Sequence, residues 1–285
     1  MLDSLTTTGK VRSALPSDFA QMTRVTKYEL LNYVRSARFV VLLVITLIIA
    51  GAFTGLIGYY RPAGLIHSGL AFYSLVWAAA VSSLIALCGT LFGGDAISGE
   101  FQSKTGYFLF AHPVRRSSVF LGKMAAAFLA STVIIGVFAV IGLANGWYYT
   151  GPPPIEFSES FGLALVYLLG VLGFTFLFSS LFKSGAMSII VTLVLLLFGF
   201  TIIDELVSAF AHAEPWFSIT YGGGIISNVL TVPYPPNIVS AMDLRRNPFL
   251  PPYNASIPEG IAILVIYAVL GAIAGYYLFR QQDFT

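Results

Sequence analysis

Charge is what this 285-residue chain has least of: Asp, Glu, Lys and Arg make up 10% of it, against 57% hydrophobic residues and a mean hydropathy of +0.83. That balance excludes a soluble core with a wettable surface and defines an integral membrane protein. Histidine is equally sparse. His67, His112 and His212 stand alone, with no HExxH and no clustered ligand spacing, which excludes a haem site or an intramembrane metalloprotease. No Gly-x-Ser-x-Gly occurs, and no serine is paired with a histidine in an apolar run, so intramembrane serine hydrolysis has no nucleophile. The single cysteine, Cys88, lies in an apolar run, can form no intrachain disulfide and reads as a buried, inert thiol. A Gly-x-x-x-x-Gly-Lys-[Ser/Thr] loop is also missing, so the chain binds no ATP by that route. The expectation is a chain that is not an enzyme, with no catalytic residue, no metal, no cofactor of its own and no nucleic-acid partner.

Long apolar runs, by contrast, are abundant. A span needs about 20 apolar residues to cross about 30 Å of hydrocarbon, and six runs qualify: residues 39–60, 70–92, 119–144, 161–182, 186–203 and 261–279. Tyr59 and Tyr60, Trp147 with Tyr148 and Tyr149, and Tyr276 with Tyr277 stand at their ends, where headgroup depth favours aromatic rings. The middles of the runs carry no Asp, Glu, Lys, Arg or His. A charge there costs at least about 2.5–3.5 kcal/mol and is kept only for work, so proton- or ion-coupled transport is disfavoured. Some 38 mixed polar residues precede the first run, which is not the layout of a cleaved signal peptide. Glycines four apart (51 and 55, 89 and 93, 142 and 146, 271 and 275) would let helix backbones approach closely. The predicted fold is an all-α membrane protein of six transmembrane helices over residues 39–285, preceded by an N-terminal segment, 1–38.

Positive charges in short loops stay on the cytoplasmic side. With the N-terminus inside, 12 of the 15 basic residues fall in the cytoplasm and only Arg61, Arg245 and Arg246 outside. The acidic residues divide 6 inside and 7 outside, so the inner face nets six positive charges and the outer four negative. The expected topology has both termini in the cytoplasm and the chain multi-pass in the plasma membrane.

Three polar segments interrupt the runs. Residues 18–38 place Phe19, Met22, Val25, Leu30 and Val34 at helical spacing among four basic residues, the pattern of a helix lying in the membrane interface. Residues 204–260 form a long external segment. Its first half is apolar enough for short helices that dip into the outer leaflet, its second half is punctuated by proline, and Asn254-Ala255-Ser256 is a glycosylation sequon. The third segment is "GDAISGEFQSKTGYFLFAHPVRRSSVFLGK", residues 94–123, on the cytoplasmic side. Asp95 suits the N-cap of a short helix reaching about Lys104, with Glu100 and Lys104 as an i,i+4 pair. Arg115 and Arg116 sit in the first turn of the following helix, where the dipole disfavours cations. Topology retention and lipid phosphates would favour them there, and so would an acidic groove on a soluble partner.

These residues carry a resemblance. "KYELLNYVRSARFVVLLVI", the segment 94–123 and the terminal "YYLFRQQDF" resemble permease subunits of the ABC-2 transporter family. The family's acidic pair, Gly-Thr step, apolar run, Pro, basic residue and Gly-Lys correspond to Asp95 and Glu100, Thr105-Gly106, Phe108 to Phe110, Pro113, Arg115 or Arg116, and Gly122-Lys123. The resemblance implies a half-transporter that pairs with a second copy or a homologous permease and docks two ATP-binding cassette subunits, which hold ATP and Mg. It further implies that the interfacial helix and segment 94–118 touch the ATPase, making Asp95, Glu100, Lys104, Arg115 and Arg116 coupling residues. The expected activity is ATP-driven export. The alternative is a non-transporting membrane subunit that passes ATP-driven motion to an extracytoplasmic protein through residues 204–260.

Overall fold

The computed structural model describes residues 17–102, 115–246 and 251–281, which are helical almost throughout, with no strand and one isolated antiparallel bridge between Ile238 and Tyr253. Among the described residues six helices are long and apolar enough to cross a membrane: Ala37–Tyr60, Gly69–Gln102, Arg116–Thr150, Ile155–Leu181, Gly185–Ala211 and Ile257–Gln281. They are the first to sixth spans below. Each overlaps one of the six apolar runs and reaches past it, because a helix propagates through polar residues at its ends once it is nucleated. The third span, at 35 residues, rises about 52 Å and so outruns the hydrocarbon. Its extra turns carry Arg116 at one end and Trp147, Tyr148 and Tyr149 at the other.

The last carbonyls of the sixth span meet Arg116 at the start of the third, and Ser118 Oγ beside it donates to the Asp18 carbonyl, so the first and last described residues lie at one end of the bundle, called the termini end below. The second and fourth spans form its centre: 61% of each apolar window is buried, against 22%, 17% and 22% for the first, fifth and sixth. Gly173 and Gly271 bring the backbones of the fourth and sixth spans into contact, and a Cβ on Gly173 would stand on Tyr267 and Ala268. Gly89 and Gly93 likewise receive Val171 and Thr175 of the fourth span. Gly51, Gly55 and Gly142 face open space instead. Cys88 is fully buried.

At the opposite end, Trp77 Nε1 donates to Ser160 Oγ at 2.9 Å, and that hydroxyl donates to the Ile226 carbonyl at 2.6 Å. This chain ties the second and fourth spans to the short helices Ile219–Gly223 and Ile225–Asn228, in which Ile219, Ile225 and Ile226 are buried. The helical part of the segment differs from expectation at its start. The fifth span runs on through Asp204 to Ala211, so the separate short helices begin only at Ile219. Further along, Asn254 is 6% exposed and its Nδ2 donates to the Pro236 carbonyl at 3.1 Å. The sequon amide is therefore engaged inside the fold. Three π-helical turns interrupt the spans, Ser74–Ala78 in the second and Leu195–Gly199 and Val207–Ala211 in the fifth.

Candidate functional site

The N-terminal helix Asp18–Arg35 is capped by Ser17, whose Oγ accepts from the Ala20 amide at 3.3 Å. It ends at Ser36. That hydroxyl donates to the Tyr33 carbonyl at 2.6 Å and accepts from the Phe39 amide at 3.3 Å, closing one helix and opening the first span. The helix lies along the third span, where Gly122 makes room: a Cβ there would meet Val25 at 2.8 Å, and Thr26 Oγ1 donates to the Gly122 carbonyl at 3.2 Å. The contact face takes in only part of the apolar stripe, Val25 against the third span and Leu30 against the core. Gln21 and Tyr33 are buried, while Phe19 is 73% and Val34 44% exposed. Polar groups with specific partners decide the helix's rotation here. Gln21 Oε1 accepts from the Arg115 amide at 3.1 Å, and Tyr33 Oη donates to the Phe92 carbonyl at 3.0 Å. Burial, with Glu29 and Asp95 nearby, pushes the Tyr33 hydroxyl well up, so it remains a donor.

Residues 94–102 form a junction beside this helix. Asp95 caps no helix; the chain turns after Gly93 and helix resumes at Ser98–Gln102. The Asp95 carboxylate instead holds Arg38 of the first span in a two-point pair, both contacts 2.6 Å. Amides left over by the turn are taken by the fourth span: Ser179 Oγ accepts from Ile97 at 3.0 Å and Ser98 at 3.2 Å. Gln102 Oε1 accepts from the first amide of the fifth span, Gly185, at 3.0 Å. Glu100 accepts from Lys123 of the third span at 2.8 Å, and Lys123 also reaches Glu29 of the N-terminal helix at 2.7 Å. Lys123 is thus one partner of Glu100; Lys104, the expected partner, lies outside the described residues, as do Thr105, Gly106 and Pro113.

The two arginines also find partners within the chain. Arg115 pairs with Asp18. Arg116 donates to the carbonyls of Arg280 at 2.7 Å and Phe279 at 3.4 Å, acceptors that the C-terminal turn of the sixth span leaves unused. Four of the five predicted residues therefore share the termini end without forming one cluster, each bonded to a different element.

Their environments differ in kind. Lys123 is 5% exposed, with Glu29 and Glu100 at 21% and 22%. A buried cation is tolerable only while its partners are in place, and removing one side of such a pair costs about 3–5 kcal/mol. The Arg115–Asp18 pair, at 69% and 53% exposure, contributes little to stability and presents both charges outward. Sequence reasoning missed Lys123, Glu29, Arg38, Gln102 and Ser179 as members of the junction. A signal existed for Lys123: a lysine about two turns into an apolar helix has to be neutralised. Its partners come from segments far apart in sequence, which no spacing reveals.

A family model described as ABC-2 family transporter protein matches residues 23–284. An uncharacterized membrane protein of Bacillus subtilis (strain 168), YdbK, is 25% identical over 195 residues, which cover 66% of this chain and 72% of that protein.

Proposed function

The chain belongs to the ABC-2 transporter family, and we propose that it is the permease subunit of an ATP-driven exporter, worked through the junction at residues 94–102. Members of this family generally act with separate ATP-binding subunits. The observation that carries the reading is the junction itself: one short segment is bonded to the first, third, fourth and fifth spans at once. A displacement imposed there moves all four. Driving a two-state permease from mostly one state to mostly the other needs about 5.5 kcal/mol of differential binding, and only a segment without slack passes on that much.

In this reading the termini end faces the cytoplasm, in keeping with the 12 basic residues counted on that side. The exposed side of the N-terminal helix interleaves Tyr28, Leu31 and Val34 with Arg24, Lys27 and Arg35, a composition suited to lipid headgroups. Arg115 and Asp18 offer the outward charges for an ATP-binding subunit, whereas Asp95 and Glu100 act as internal wiring behind them. A second copy of the chain or a homologous permease would complete the transporter.

Affinity isolation of the full chain in mild detergent from its native membranes tests this. The expected result is co-isolation of an ATP-binding cassette subunit with Mg-dependent ATP hydrolysis, and lower hydrolysis in the Glu100→Ala, Arg115→Ala double variant at equal membrane insertion. Isolation without any cassette subunit, or unchanged hydrolysis in the double variant, overturns the reading.

A further inference from the structure

On the N-terminal helix, Arg24, Lys27, Tyr28, Leu31, Val34 and Arg35 follow one another at helical steps and so share one face. All six are exposed, while Gln21 and Tyr33 on the other side are buried against the bundle. The three cations of this face differ from most of those around them. Arg38, Arg115 and Lys123 hold carboxylates, and Arg116 holds the last carbonyls of the sixth span. Arg24, Lys27 and Arg35 meet no carboxylate within ion-pair distance among the described residues. The acidic residues of the same helix, Asp18 and Glu29, are turned instead to Arg115 and Lys123. The outer face therefore carries three positive charges over about 16 Å of helix and no negative one.

Retention of topology asks only that cations lie near a span. It does not ask them to share a face, nor that Tyr28, Leu31 and Val34 stand between them. Water leaves such apolar groups unburied, so a merely solvated face has no use for them. The boundary between headgroups and acyl chains answers both kinds of group at one depth. The position of the helix fits that boundary, because Ser36 alone separates it from the first span and Arg35 lies within a turn of where that span begins.

We propose that this face binds anionic lipid selectively, with Arg24, Lys27 and Arg35 donating to headgroup phosphates while Leu31, Val34 and the ring of Tyr28 enter between the acyl chains. Each Lys or Arg held at a membrane surface favours anionic lipid by about fivefold, so three on one face give a distinct preference. The same helix reaches Lys123 through Glu29, which places the lipid contact one helix width from the junction. The proposal rests on the lipid-facing reading of this helix given above and on no part of the ATPase reading.

The test places a thiol-reactive dye on Thr23→Cys, an exposed position beside Arg24, in the purified full chain; the chain's own thiol, Cys88, is fully buried. The labelled protein is reconstituted into vesicles of mixed phosphatidylcholine and phosphatidylglycerol, in which one lipid or the other carries a nitroxide quencher near the headgroup end of an acyl chain. At equal mole fraction, labelled phosphatidylglycerol should quench the dye about three times as strongly as labelled phosphatidylcholine or more. Sodium chloride at about 1 M, which shortens screening to about 3 Å, should remove the preference in the unaltered stripe. The Arg24→Gln, Lys27→Gln, Arg35→Gln variant should lose it as well, and Lys183→Gln, an exposed cation between the fourth and fifth spans, should keep it. Equal quenching by the two lipids, a preference that survives the triple variant or salt, or one that Lys183→Gln abolishes overturns the proposal. Quenching by neither lipid overturns it too and points to a protein partner on this face. No nucleotide or cassette subunit is present, so the result is read apart from the ATPase experiment.

Discussion

Lys123 near the termini end and Asp204 near the opposite end are both ionisable groups drawn into helices that cross a membrane, and their surroundings could hardly differ more. Lys123 is 5% exposed and reaches two carboxylates within 2.8 Å, one from the N-terminal helix and one from the junction. Asp204 keeps one oxygen on Thr220, while its other oxygen is shut from solvent without a partner within hydrogen-bond distance, and so is the Tyr221 hydroxyl. A satisfied buried charge fixes the elements that supply its partners, since any of them leaving exposes the full desolvation cost. An unsatisfied one is held in place by the rest of the fold. The two ends thus treat their polar atoms differently: fully paired across elements at one, partly unpaired at the other.

The sharpest way to break this contrast is Lys123→Met, which strands Glu29 and Glu100 together and should cost about 3–5 kcal/mol. Cys88, the only thiol and fully buried, reports the loss directly through the temperature at which it becomes reactive to a fluorescent maleimide in detergent. A Lys123→Met protein with an unchanged midpoint would show that the junction is not wired as described. A subtler comparison removes one hydroxyl from each end. Tyr33→Phe deletes the donation to the Phe92 carbonyl and should cost about 0.5–1.5 kcal/mol. Tyr221→Phe deletes a hydroxyl with no partner and should leave stability within about 0.5 kcal/mol of wild type. Equal losses in the two variants would erase the distinction between the ends. The smallest effect on folding belongs to Arg115→Ala, below about 1 kcal/mol for so exposed a pair, and under the proposed function its consequence is read in ATP hydrolysis by whatever cassette subunit co-isolates.

Much of this architecture was legible in the residues. Six apolar runs of membrane length can hardly fold otherwise than as spans, because hydrocarbon leaves backbone amides no partner outside the helix. The polar segment at 94–102 announced itself by interrupting those runs. Its wiring did not: Asp95 reads locally as a helix cap, and only the arrival of Arg38 from the first span shows what the carboxylate does. The N-terminal helix teaches the same point. Phe19 and Val34 belong to its apolar stripe, yet Gln21 and Tyr33 face inward, because hydrogen-bond partners wait for them on neighbouring elements.

The sequence by itself therefore determined membrane residence, the number of spans and their helical character, all consequences of local hydropathy and of the backbone's need for hydrogen bonds. Tertiary structure alone decided which carboxylates meet Lys123, why Arg115 and Arg116 tolerate a helix N-terminus, and that Asp204 meets Thr220 of a short helix beyond the fifth span. Those outcomes depend on groups brought together from up to 164 residues apart, as between Arg116 and Arg280. Pairing at that range is set by how the helices pack, and no local pattern encodes it.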